Sequence, residues 1–105
     1  MNKFAILLST ASSEEEAARI AKALVKKRLV ACVNIIPKIR SIYTWKDKLC
    51  DEAEAMLVMK TQEKKVKGVK KELKSLHSYE CPELIVLPIS YGLPSYLKWI
   101  SALTD

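Results

Sequence analysis

Glycine is nearly missing, with two in 105 residues. Loops that wrap phosphate in closely spaced backbone amides need several glycines, so the nucleotide-binding fingerprints are excluded. Histidine occurs once, and the three cysteines (Cys32, Cys50, Cys81) are odd in number with no CxxC spacing. A zinc ribbon and a paired disulfide framework are thereby excluded, and free thiols in a reducing cytoplasm are expected. There is no GxSxG elbow for a nucleophilic serine. Long hydrophobic runs are also lacking. The apolar stretch at 4–8, behind Met1-Asn2-Lys3, is too short for a signal core or a membrane span.

What is present describes a folded chain, 50% hydrophobic and 29% charged, with room for one domain over 1–105. A domain this small buries only about 60–68% of its unfolded surface, so a partner's surface would add noticeably to its stability. The net charge is +6. Six lysines (Lys64, Lys65, Lys67, Lys70, Lys71, Lys74) alternate with apolar Val66, Val69 and Leu73, the pattern of a solvated helix face opposite a buried stripe. Without that face little net charge remains, so neither nucleic acid nor a membrane is expected as partner.

Along the chain, 4–8 reads as a buried strand. Ser12 and Glu15 stand at capping-box spacing before a helix carrying Ala17, Ile20, Ala21 and Leu24, closed by Lys26-Lys27-Arg28. Residues 29–36 form a second strand, and Pro37 marks an edge position, a bulge or a bend. Alternation resumes through Trp45, Lys46-Asp47-Lys48 makes a turn, and 52–61 returns as a third strand in a long hairpin. Val66, Val69, Leu73 and Leu76 define a second amphipathic helix, 84–89 a fourth strand, and Pro94-Ser95 the start of a short helix. The order β-α-β-β-α-β plus a terminal helix is the α+β, ferredoxin-like split βαβ arrangement.

Two helices cover only one face of such a sheet, yet these strands are apolar on both. Met56 and Val58 oppose Ala55, Leu57 and Met59, and Leu84 and Val86 oppose Ile85, Leu87 and Ile89. A terminal helix of about nine residues, roughly 13 Å long, covers part of the second face. The remainder predicts self-association with closed symmetry.

Chemistry-bearing residues are sparse. His77 with Cys32 or Cys81 offers imidazole and thiolate ligands suited to copper or zinc. Tyr43, Trp45, Glu52, Glu54, Lys60, Tyr79 and Glu83 lie toward strand ends or in the adjoining loop. Aromatic walls with mixed charges at a subunit boundary suit a ligand pocket, and the same residues also suit interface salt bridges.

Several segments resemble the CutA-type divalent cation tolerance proteins. They are Val30-Ala31-Cys32-Val33-Asn34-Ile35-Ile36-Pro37, Ser41-Ile42-Tyr43-Thr44-Trp45, Lys60-Thr61, the stretch 77–89 beginning His77-Ser78-Tyr79-Glu80-Cys81-Pro82-Glu83, and Tyr96-Leu97-Lys98-Trp99-Ile100. The resemblance implies a ferredoxin-like fold related to the PII signalling proteins and a cytoplasmic homotrimer without enzymatic activity. It also implies a link to divalent metal tolerance, with copper(II) or another divalent cation bound but not required for folding. Ligands attributed in some members are a first-strand cysteine and two successive histidines. Here those positions read Ser9 and Leu76-His77, so only His77 matches. A PII-like small-ligand or protein-interaction module with no direct metal role is the alternative. An RNA-binding domain of the same element order needs aromatics in its central strands, where Phe4 stands alone. An acylphosphatase-like enzyme needs an arginine at the anion loop, which Thr10-Ala11-Ser12-Ser13 lacks.

Overall fold

A computed structural model describes residues 3–105. The elements are β1 (Phe4–Ala11), α1 (Glu14–Lys26), β2 (Cys32–Trp45), β3 (Lys48–Gln62), α2 (Val66–Leu76), β4 (Ile85–Pro88) and α3 (Pro94–Leu103), with a 3₁₀ turn over Glu63–Lys65 leading into α2. The sheet runs β2-β3-β1-β4 with every neighbouring pair antiparallel. This is the expected ferredoxin-like order, with β1 and β3 central.

Register divides the sheet into two faces. Ala5, Leu7 and Ala11 of β1 stand opposite Thr61, Met59 and Ala55 of β3. These residues are buried under Ala17, Ile20 and Leu24 of α1 and Val69 and Leu73 of α2. Ile6, Leu8 and Thr10, opposite Lys60, Val58 and Met56, point to the other face. There α3 docks at one end: Ile100 is buried, and Gln62 donates to the Thr104 carbonyl (3.2 Å) and hydroxyl (3.0 Å). The rest of that face has no cover of its own.

Local chemistry sets the boundaries. The cap of α1 is Ser13, whose hydroxyl accepts from the Glu16 amide at 3.1 Å. The Ser12–Glu15 capping box is therefore corrected by one residue. Arg28 (φ 59°) closes α1 in the left-handed region, as Leu29 N–H reaches the Leu24 carbonyl and Arg28 N–H that of Val25. On edge strand β2, pairing breaks between Ile36 and Ile39, so Pro37 sits in a bulge where no amide is needed.

The hairpin is longer than expected. β2 and β3 pair out to Trp45 and Lys48, while β1 stops opposite Ala55. Lys46 (φ 50°) and Asp47 (φ 64°) alone form the two-residue turn, the mirror-image type that matches strand twist. Charge is segregated too. Segments 14–28 and 63–76, the two-helix layer, hold eleven Lys and Arg against five Asp and Glu; elsewhere seven face seven. The whole +6 thus lies on the helical side.

Candidate functional site

A cleft of about 760 Å³ opens where the projecting hairpin passes beneath the 78–83 loop. Its floor is the uncovered face of the sheet, carrying Ser41, Tyr43, Trp45, Glu54 and Met56; Tyr79 and Glu83 come from the loop. Period-two alternation places these floor residues on one side, and the bulge at Pro37 keeps β2 in phase with β3.

The loop is held from behind by buried polar groups. Glu16 sits in the first turn of α1, where its Oε1 accepts from the Ser12 amide (3.0 Å) and hydroxyl (2.7 Å) and its Oε2 from the Ser78 amide (2.9 Å). Burial pushes this carboxyl's pKa up, but the bonds from Ser12 and Ser78 outweigh it and hold the value at about 2. His77, whose side chain is wholly buried, lies with Nε2 2.7 Å from the Thr10 carbonyl, while Nδ1 accepts from the Tyr79 amide at 3.1 Å. A carbonyl only accepts, so this network puts the ring hydrogen on Nε2. Ser9 adds a bond from its hydroxyl to the Glu83 carbonyl (2.7 Å).

Inside the cleft, the Tyr79 hydroxyl donates to Glu54 Oε2 at 2.6 Å. Burial and that bond together drive the phenol well above its usual range. Burial, then the nearby Glu54, raises the Glu83 carboxyl. Burial and the charge of Glu52 raise Tyr43 as well. The cleft is acidic and ring-walled; among the described residues no Lys, Arg or His is part of its lining, while Lys46 beside it lies 5.6 Å over the Trp45 ring and 3.6 Å from Glu80.

The family model for the CutA1 divalent ion tolerance protein matches residues 5–103. The chain belongs to that family. It is 44% identical to the divalent-cation tolerance protein CutA of Thermus thermophilus over 95 residues, covering 90% of this chain and 92% of that one. Mouse protein CutA is 44% identical over 96 residues, 91% of this chain but 54% of its own length, so the chain spans about half of that longer relative. A solved structure from Archaeoglobus fulgidus, described as a periplasmic divalent cation tolerance protein CutA, superposes with a TM-score of 0.93 at 40% identity, covering 100% of both chains.

Within this CutA1-family chain the expected site residues separate into groups. Tyr43, Trp45, Glu54, Tyr79 and Glu83 converge on the cleft, and Cys81 borders it. Glu52 lies beside it on the same strand face, near enough to perturb Tyr43. Lys60 stands six residues along β3 from Glu54, roughly 20 Å away, and bonds to Asn34. His77, Cys32 and Cys81 are not brought together. Cys32 pairs opposite Lys60 and lies 3.8 Å from the Tyr96 hydroxyl. His77 rests on Thr10, whose partner Met56 is four residues, about 13 Å, further along β3. Both ring nitrogens of His77 are engaged within the fold, and among the described residues no three His, Cys, Asp or Glu are grouped to hold a metal. Ser9 likewise uses its hydroxyl structurally. Glu16 is a site residue outside the expected set, and its capping-box spacing from Ser13 is the sequence signal that points to it.

Proposed function

We propose that this chain acts as a non-enzymatic, homotrimeric module in the response to divalent cations, and that its molecular task is reversible ligand binding in the hairpin cleft. The carrying observation is the convergence of Tyr43, Trp45, Glu54, Tyr79 and Glu83 on one cavity whose loop wall is tied down from behind. A ring-walled concavity with convergent polar groups suits small-molecule recognition. For an acyl- or group-transfer reaction, a base would have to reach a nucleophile, and the only imidazole is committed to Thr10 and Tyr79.

Copper or another divalent cation does not fit the set His77, Cys32 and Cys81 within one chain, so the cation response is read as acting through the cleft ligand. Titration with Cu(II) checks this, and His77→Ala is expected to leave the affinity unchanged. A thermal-shift screen of small metabolites tests the cleft itself. Stabilisation should disappear in Trp45→Ala and Tyr79→Phe, and hits that persist in both variants would place binding elsewhere. A reducing cytoplasm suits the three free thiols.

A further inference from the structure

We infer that the outer side of α2 is a docking surface for an acidic helical segment of another protein, whose carboxylates sit against Lys67, Lys70, Lys71 and Lys74.

The first observation is a row of like charges that works against the helix carrying it. These four lysines stand at i, i+3, i+4 and i+7, exposed on the side opposite buried Val69 and Leu73. Side chains at those spacings are neighbours on a helix, and like charges there are destabilising. None of the four has an ion pair or hydrogen-bond partner among the described residues, in contrast to Lys27 and Lys65, which reach Glu72 and the Asp105 main-chain oxygen. Glu72, the one acid within α2, is thus turned toward α1 and away from the row. α1 is built the other way. Its first turn holds three glutamates and a Ser13 cap, which suit the helix dipole, whereas the first turn of α2 has no acid and no side-chain cap. Local rules broken without internal compensation are expected where a surface has a use.

The second observation is where the row lies. The self-association proposed above uses the bare face of the sheet, and α2 packs on the opposite face, so the row stays outward when copies assemble. Beside it, along α1, runs a shallow hollow of about 710 Å³ whose lining includes Lys22, Lys26 and the small side chains of Ala18 and Ala23. Its chemistry selects the partner. A single-strand nucleic-acid site needs rings on which bases stack, and segments 14–28 and 63–76 hold no aromatic residue. Binding to a membrane surface needs apolar side chains to bury, and the outer side of α2 has none. A long uniform polyanion laid along the layer would also meet exposed Glu14 and Glu15. Carboxylates repeating at i, i+3, i+4 and i+7 on a second helix share the spacing of the four ammonium groups and match them along their length.

Fluorescence anisotropy with a labelled helical peptide bearing glutamates at that spacing tests the inference, in about 0.15 M salt so that distant charges are screened. Saturable binding is expected. Replacing Lys67, Lys70, Lys71 and Lys74 together by Gln should weaken it tenfold or more. A charge-matched variant, with Lys3, Lys38, Lys48 and Lys98 replaced by Gln, should bind as wild type does. Equal loss in both variants would reduce the effect to net charge and overturn the inference, as would a complete lack of binding to wild type. A DNA duplex or phosphatidylserine vesicles binding more tightly than the peptide would overturn the choice of partner. Chemical denaturation supplies a check that needs no ligand. Removing the row should raise the midpoint above that of wild type, because the repulsion goes with it. An equal or lower midpoint would mean that the charges are already compensated, and the inference would fall.

Discussion

Glu16 shows how one carboxylate can hold three chain segments. Removing it from water is unfavourable, and the Ser12 and Ser78 donors more than offset that cost. Its folded pKa lies below the usual 4.5, at about 2, so the stability it supplies is complete above 4.5 and fades as pH falls toward 2. Chemical denaturation across that window should show a loss that Glu16→Gln flattens; at neutral pH the substitution should cost about 2 kcal/mol. Glu83 has the opposite sign. Its raised pKa means the charged form is disfavoured in the fold, so Glu83→Gln should raise the melting temperature of the ligand-free protein near neutral pH. A lower melting temperature would mean the carboxylate has a compensating partner. The aromatic and acidic members of the cleft were legible as residues because they cluster at strand ends. What their spacing could not supply was the burial that gives Glu54 and Glu83 their character, which depends on a loop far away in sequence.

At the scale of elements, hydrophobic periodicity located all four strands and three helices, while their ends depended on finer chemistry. Ser12-Ser13 followed by Glu14-Glu15-Glu16 permits two capping registers of equal spacing, and the Ser78 amide, brought in from beyond the end of α2, joins the Ser12 donors in favouring Glu16. The hairpin turn was placed one residue too long because Lys46-Asp47 lacks the Asn or Gly that usually marks a two-residue turn. Both residues take positive φ, a steric cost that Gly escapes and that short Asn and Asp side chains bear more easily than Lys46. Lys46→Asn combined with Asp47→Gly should therefore stabilise the chain by about 1 kcal/mol, read from the denaturation midpoint. The exposed Lys46–Glu80 pair at 3.6 Å is lost in that variant and should subtract little.

At the scale of the whole molecule, the two-faced apolar sheet was visible in the sequence, and the fold leaves much of the second face bare. Ile85 and Leu87 on edge strand β4, which share that face with Ile6 and Leu8, are nearly half exposed, and on the opposite side of the projecting hairpin Ile42 is 63% and Leu49 79% exposed. A two-stranded arm with apolar side chains in water is marginal alone. Sedimentation should give three times the 11.9 kDa chain mass, and Ile42→Glu with Leu49→Glu should shift the species toward the monomer. A wild-type species at the single-chain mass would remove the trimer. The cleft roof was not legible at this scale, because residues 78–83 meet the hairpin only through the return of β4 alongside β1.

With all its excess positive charge on the two-helix layer, each chain carries a strong permanent electric dipole. On a carboxylated sensor chip or a cation-exchange bead it should adsorb helices down. The opposite side of that chain, with the cleft, would then be kept off the surface, so capture through charge leaves that chain's cleft unblocked without any engineered tag.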